Sequence, residues 1–434
     1  MESWDPGRLV TAREARLREV LSHAFERSPY WRERSVHIPG SLLLESPAEA
    51  LRLVPLLDKV ALQRSALELR AEGRLGRVSL KTTGGSTGQA VTVLKNAEAL
   101  AGEMAASWLG YGWVGIRIGD RAVRFWGNPA SARRRLRFLA ADVAMHRRRF
   151  SAFAFGPEDL ERYWRICTRF RPDYFYGYVS MLVAFADYLH GRKYDGRSLG
   201  LRAVVSTSEV LGEPQARLLA DTFGCPVQNE YGCGEVGPIA YSCPEGALHI
   251  MAMNVWVEVL SPSGTPVPPG DSGELVVTDL HNTAMPLLRY RVGDQGALGD
   301  ACRCGRPWPV LARIWGRAYD FVEGVDGRRY HGEFFLYFFE ELRDRGNGVE
   351  QFQVTQAGAR ILRFDVVVSA ASEAKVRVAI MQWVARVLPG MDVVVRAVPA
   401  IQRAPSGKMR LIVNDVASTE TARPSPPPPG IPPR

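Results

Sequence analysis

Between residues 121 and 232 short apolar runs alternate with longer amphipathic ones: "RAVRFWG", "PEDLERYWRICTRF", "PDYFYGY", "SMLVAFADYLHG", "LRAVVSTSE", "EPQARLLADTFG" and "PVQNEYG". Each apolar run has strand length, and each amphipathic run carries apolar residues at helical spacing. Strand and helix in strict alternation predict a parallel α/β sheet, with functional loops at the carboxyl ends of its strands.

The flanks differ. Residues 9 to 27 have helical apolar spacing, and "SPYWRE" follows as a Pro-broken aromatic segment. After about residue 250 the pattern turns strand-rich, with "NVWVEVLSPSG" and "GELVVTDL" divided by Pro and Gly turns, so a small β unit is expected there. Residues 321 to 415 read as a separate small α/β domain. It has a helix at 332 to 343, strands in "EQFQVTQ" and "ILRFDVVVS", a helix near 372 to 388 and a strand in "MDVVVRAV". The closing "TARPSPPPPGIPPR" has no apolar pattern and loses backbone donors to proline, which predicts disorder.

A chain of 434 residues with 46% hydrophobic residues can bury more than one core. No run of about eighteen apolar residues predicts a membrane span, and the start lacks the pattern of a secretory signal; a cytoplasmic location is expected. The net charge of +9 is carried by arginine, with lysine only at 59, 81, 95, 193, 375 and 408. Runs such as "ARRRLR" and "HRRRF" could attract polyanions. With no nucleic-acid-binding module in the sequence, a solvated arginine face is the simpler reading, and no nucleic acid partner is expected.

The stretch "KTTGGSTGQAV" (81–91) combines Gly84, Gly85 and Gly88 with the hydroxyls of Thr82, Thr83, Ser86 and Thr87. Glycines let a backbone approach an anion closely, and hydroxyls donate to its oxygens. It is not a Walker loop, because Gln89 stands where that motif continues to lysine. Alone, such a cluster also serves as an ordinary turn between strands.

Several further segments, with this loop, give the chain a resemblance to the adenylate-forming superfamily, and within it to the phenylacetate-CoA ligase and CapK-like branch. It runs from "SPYWRE" to "PSGKMR", nearly the whole chain. The loop resembles the family's Thr-Ser-Gly-Thr-Thr-Gly-Lys-Pro segment, implying that Thr83, Gly84, Gly85, Ser86, Thr87 and Gly88 hold the ATP phosphates; Gly84, Gln89 and Ala90 replace the usual Ser, Lys and Pro. "NEYGCGE" resembles Tyr-Gly-X-X-Glu, implying that Tyr231 stacks near adenine and Glu235 binds Mg²⁺. "AMPLLRYRVGD" resembles the family's Pro-X-X-Arg-Tyr-X-X-Gly-Asp segment, which gives Asp294 the ribose hydroxyls. By the same resemblance Ser208, Glu209, Asn229 and Glu230 fall in the nucleotide site.

"IWGRAYDFV" resembles the family's interdomain hinge, with Arg317 near the nucleotide and Asp320 at the pivot. "APSGKMR" resembles the C-terminal Ser-Gly-Lys-X-X-Arg segment, so Lys408 would bridge the substrate carboxylate and the α-phosphate. The implied fold is α/β. A large adenylate-forming domain over residues 1–319, with parallel α/β sheets and a small β unit, is joined to a mobile small α+β domain over 320–415, and 416–434 form a Pro-rich tail.

The acyl pocket implied by the resemblance is lined by Tyr178, Ser208, Gly232, Gly234, Ile239 and Ala240, a set suited to a flat, apolar acid. Ordinary core packing is the competing reading of the aromatic residues.

Six cysteines do not make a disulfide scaffold in a chain this long. Cys167 and Cys225 stand apart as small buried hydrophobes, and Cys233 lies inside "YGCGE" as a pocket residue. Cys243, His249, Cys302 and Cys304 supply four ligands for a closed tetrahedral zinc site, against the alternative of unrelated cysteines and a surface histidine. Some members of the branch carry a comparable structural zinc.

The expected activity is ATP- and Mg²⁺-dependent conversion of an aryl or arylacetic carboxylate to acyl-AMP, with transfer to coenzyme A. Expected partners are that acid, ATP, CoA or another acceptor, and a second copy in a homodimer. The rivals are an amide synthetase or carrier-protein loading enzyme, and a non-catalytic nucleotide-binding accessory protein of polysaccharide assembly. The acid and the acceptor are not legible in the residues.

Overall fold

The structure is a computed structural model that describes residues 4–83, 91–126, 132–152, 154–315, 321–344, 348–401 and 412–414. It divides into two compact units, with the main boundary between residues 315 and 321.

The larger unit is organised by one eleven-stranded sheet. Its strands in chain order are β1 (Ala122–Trp126), β2 (Arg147–Ser151), β3 (Tyr174–Tyr178), β4 (Ala203–Thr207), β5 (Val227–Cys233), β6 (Gly237–Ser242), β7 (Leu248–Ile250), β8 (Val255–Leu260), β9 (Gly273–Asp279), β10 (Tyr290–Gly299) and β11 (Val310–Trp315). Their order across the sheet is β8-β9-β10-β11-β7-β6-β5-β4-β3-β1-β2. The run β2-β1-β3-β4-β5 is parallel. β3 and β4 are buried along their whole length, as strands covered on both faces must be.

Connections within the parallel half are helices such as Pro157–Phe170, Val179–Arg192 and Glu213–Phe223, the segments whose helical spacing the sequence shows. At the tight turn from β5 to β6 the pairing becomes antiparallel and stays so to β8. The strand-rich stretch after residue 250 therefore extends the same sheet. Gly232, at a bulge in this turn, is required: a Cβ there would lie 2.6 Å from the Gly237 carbonyl oxygen.

The amino-terminal helix is Pro6–Arg27, started by the Asp5 side chain, which accepts from the Arg8 amide at 2.9 Å. "SPYWRE" is itself helical, over Pro29–Arg34, because proline at the first helical position needs no amide partner. Trp31 is fully buried, and its indole N–H donates to the Pro286 carbonyl at 2.9 Å. Leu17, Leu21, Trp31, Leu51 and Leu62 share the main core with Val255, Val277, Leu288 and Tyr290.

The smaller unit has a four-stranded sheet, in the order Asp392–Ala397, Ile361–Val368, Val349–Gly358, Ile412–Asn414. The central pair is antiparallel and both outer pairs are parallel. Helices Gly332–Asp344 and Glu373–Val387 contribute Phe335, Phe339, Val376 and Ile380 to its core. Phe339 stacks on Phe352 at 4.0 Å. A three-stranded sheet of Phe321–Glu323, Arg329–His331 and Ala154–Phe155 completes the unit.

Candidate active site and cysteine cluster

The residues expected at the nucleotide site fall on β5, on β10 and in the segments that follow β4 and β5. Tyr231 on β5 and Asp294 on β10 lie 63 residues apart in sequence, and the Tyr231 hydroxyl donates to the Asp294 carboxylate at 3.1 Å. The two residues read from separate motifs as adenine and ribose contacts thus meet at one point. Glu235 lies just beyond β5, only 8% exposed. Burial, and then the Glu235 and Asp294 charges, push the Cys233 thiol up, so it stays protonated. Oxygen donors of this kind match the hard-ligand preference of Mg²⁺.

Ser208 directly follows β4 and holds φ at 67°, in the left-handed region that a non-glycine residue adopts at a cost. Glu209 beside it accepts from the Ser180 amide at 2.6 Å and the Ser180 hydroxyl at 2.8 Å. It caps the helix Val179–Arg192, whose own N-cap Tyr178 has no side-chain bond to offer. The Asn229 amide donates to the Ser242 hydroxyl at 2.8 Å.

Glu230 turns to the face of the sheet covered by the helix Ala97–Gly112. One carboxylate oxygen accepts from Tyr176 at 2.8 Å and Thr207 at 3.0 Å, the other from Tyr111 at 3.0 Å and Tyr241 at 2.8 Å. Burial, reinforced by Glu230, raises the Tyr111, Tyr176 and Tyr241 phenols above their ordinary range, which keeps them as donors. Glu209 and Glu230, expected in the nucleotide site, have carboxylates that accept from protein donors, a pairing across strands and helices that local sequence does not reveal.

Among the expected pocket residues, Tyr178 is 1% exposed and stacks on Trp126 at 4.6 Å. Gly232 is exposed and Gly234 half-buried. Ile239 and Ala240 are fully buried within the main core and serve packing. Thr83 closes the strand Val78–Thr83, paired with Val91. Gly84, Gly85, Ser86, Thr87, Gly88, Arg317, Asp320 and Lys408 lie outside the described residues.

Sequence reading missed a buried ion cluster beside the site. Lys95, with no exposed surface, pairs with Asp279 at 2.6 Å and Glu103 at 3.0 Å, and Glu103 also takes Lys81 at 2.9 Å. The signal available was lysine itself, retained six times in an arginine-rich chain. Arg289 of the "PLLRYR" segment pairs with Glu258 at 3.1 Å and donates to the carbonyls of Arg52 and Val54. It ties the amino-terminal helices to the sheet.

The four sulfur and nitrogen ligands come together. Cys243 Sγ, His249 Nε2, Cys302 Sγ and Cys304 Sγ all lie within 4.8 Å of one another. The Cys243 and Cys302 sulfurs are 3.8 Å apart, and Cys304 Sγ is 3.2 Å from His249 Nε2. Zinc–sulfur bonds of about 2.3 Å at the tetrahedral angle separate two sulfurs by about 3.8 Å. His249 Nδ1 faces the Trp308 carbonyl at 3.0 Å, which fixes that nitrogen as the donor and turns the Nε2 lone pair toward the sulfurs. The residues fit a closed Cys₃His zinc site.

The sequence pattern of the AMP-binding enzyme family matches residues 143–285. Protein CapK of Staphylococcus aureus is 26% identical over 252 residues, covering 56% of this chain and 53% of CapK. A phenylacetate-coenzyme A ligase of Thermus thermophilus is 28% identical over 353 residues, covering 75% of this chain and 74% of that protein. The chain thus spans about half of CapK and about three quarters of the Thermus ligase. A crystal structure of 2-hydroxyisobutyryl-CoA ligase with 2-HIB-AMP and CoA in the thioesterification state matches with a TM-score of 0.64 at 20% identity, covering 97% of this chain and 93% of that one. That likeness establishes the shared fold. The chain is thus similar, over residues 143–285, to the AMP-binding enzyme family, and over longer stretches to CapK and to phenylacetate-coenzyme A ligases.

Proposed function

We propose that the protein activates a carboxylic acid with ATP, releasing pyrophosphate, and transfers the acyl group from acyl-AMP to the thiol of coenzyme A. The observation that carries this reading is the Tyr231–Asp294 contact, a ring and a carboxylate brought together from β5 and β10. In this reading Tyr231 lies against adenine and Asp294 accepts from the ribose hydroxyls. The carboxylate oxygen of the acid attacks the α-phosphorus, the bond to the β-phosphate oxygen breaks, and pyrophosphate leaves. Lys408 and Arg317 stabilise the charge of that transfer, and the hydroxyls and glycines of 83–88 hold the β- and γ-phosphates. Glu235 holds Mg²⁺, which supplies charge neutralisation on the phosphate oxygens. The thiolate sulfur then attacks the acyl carbon, and AMP leaves with the former carboxylate oxygen. The smaller unit turns about Asp320 between the two half-reactions. An aryl or arylacetic acid is the favoured substrate, given the aromatic side chains around Tyr178.

Pyrophosphate release with a panel of aryl, arylacetic and aliphatic acids, run with and without CoA and followed by mass spectrometry, tests this reading. An aryl-CoA product is the expected result. Acyl-AMP without thioester would shift the acceptor to an amine or a carrier protein, and no release from any acid would contradict ligase activity.

The second part of the proposal is structural zinc at Cys243, His249, Cys302 and Cys304. The ion would cross-link the β6–β7 hairpin to the loop before β11. One zinc per chain is expected by elemental analysis, and Cys304→Ser should lower zinc content and the melting temperature together. Metal-free protein that melts at the same temperature as the zinc-loaded form would contradict it.

A further inference from the structure

Near the helix Ala97–Gly112, the guanidinium of Arg124 lies against aromatic rings and keeps donors that the described residues leave unused. Arg124 on β1 sits level with Tyr176 on β3 and Val205 on β4. Its guanidinium carbon is 4.3 Å from the Tyr176 ring centroid and 5.4 Å from that of Trp126, which in turn stacks on Tyr178. Arg124, Trp126, Trp108 and Tyr111 are each half-buried, so this group is not sealed in the core.

Arg124 makes no ion pair among the described residues, and its buried Nε has no hydrogen-bond partner. The carboxylate that best balances its charge is Glu230, and both Glu230 oxygens are already taken by two hydroxyls each. Arg147, the other charged neighbour, is a cation and pairs with Asp142 at 2.5 Å. Glu230 thus offsets the charge of Arg124 without consuming its donors. A planar cation with free donors, walled by aromatic rings, is complementary to a ring that bears an oxygen acceptor.

We propose that Arg124 is a specificity-determining residue that selects aryl or arylacetic acids carrying a second oxygen acceptor on the ring, a hydroxyl or a carboxylate. The inference rests on the ligase reading and narrows its substrate class. The carboxylate to be activated points toward the nucleotide at the strand ends, and the ring substituent points back to Arg124. An unsubstituted ring would leave the guanidinium desolvated and unpaired, which is where discrimination arises.

The test uses matched acids, benzoate against hydroxybenzoates and phthalates, and phenylacetate against hydroxyphenylacetates, on the wild-type chain, Arg124→Met and Arg124→Lys. Turnover is read by pyrophosphate release and binding of the acid alone by calorimetry. For the wild type, kcat/KM should favour a substituted acid over its parent by about tenfold to a hundredfold. Arg124→Met should abolish that preference by bringing the KM values of substituted and parent acids together. Arg124→Lys retains the charge beside Glu230, so it should fold as the wild type does and lose most of the preference. Equal loss on parent and substituted acids in the lysine variant, or no preference in the wild type, overturns the proposal. If no acid releases pyrophosphate, the ligase reading fails separately; substituted acids that still bind the wild type and not the lysine variant would support the Arg124 assignment, and absence of binding would overturn it.

Discussion

Asp294→Ala is expected to reduce acid-dependent pyrophosphate release by about a hundredfold to a thousandfold in kcat/KM for ATP. Two ribose hydroxyls would lose a charged acceptor, and charge-assisted hydrogen bonds in a partly enclosed site are worth about 1.5–3 kcal/mol each. Removing the carboxylate also leaves the Tyr231 hydroxyl without the partner it has at 3.1 Å. Tyr231→Phe removes only that tether and keeps the ring, so its loss should be much smaller, about tenfold or less. If Asp294→Ala proved as active as the wild type, the placement of the ribose at β10 would be wrong.

Lys95→Met is the second large effect, and it acts on stability. The side chain is fully enclosed and neutralises Asp279 and Glu103 together. Methionine fills most of the same volume but leaves the buried Asp279 carboxylate without its cation and Glu103 with Lys81 alone, a change that costs about 3–5 kcal/mol. In a unit of this size that corresponds to a fall in melting temperature of roughly 10 °C. Burial alone would lower the Lys95 pKa, but Asp279 and then Glu103 outweigh it and hold the ammonium above its ordinary value. A raised pKa contributes stability that is complete below the unfolded value of 10.5 and is lost only as pH rises through the higher folded value. The difference in stability between wild type and Lys95→Met should therefore shrink above about pH 10.5 through loss of this contribution, as thermal melts across alkaline pH would show.

Local patterning made the fold class legible. The alternating segments of 121–232 are the parallel strands and their helices, because a strand buried on both faces is written in consecutive apolar residues. The elements of the smaller unit also sit where their periodicity puts them, as in the helix Glu373–Val387 and the strand Ile361–Val368. What local pattern could not give is pairing. Nothing in "GPIAYS" states that β6 turns back on β5 and carries the strand-rich segment onto the same sheet.

The same limit governs the site. Tyr231 and Asp294 are each legible only through the family segments that "NEYGCGE" and "AMPLLRYRVGD" resemble. Their contact, by contrast, depends on the sheet order. Glu209 and Glu230 read as nucleotide residues by position, yet their partners come from Ser180, Tyr111, Tyr176, Thr207 and Tyr241, on elements far away in sequence. Arg124 was visible only as the polar residue of a strand run, "RAVRFWG"; its meaning comes from the aromatic rings that the neighbouring strands set around it.

The most direct test of acid activation is acid-dependent exchange of labelled pyrophosphate into ATP by the purified chain, which reports reversible acyl-AMP formation without any acceptor. Exchange that requires an aryl or arylacetic acid and falls about a hundredfold or more in Asp294→Ala is the predicted result. Absence of exchange with every acid, in protein that still binds Mg-ATP, would contradict it and favour a nucleotide-binding role without turnover.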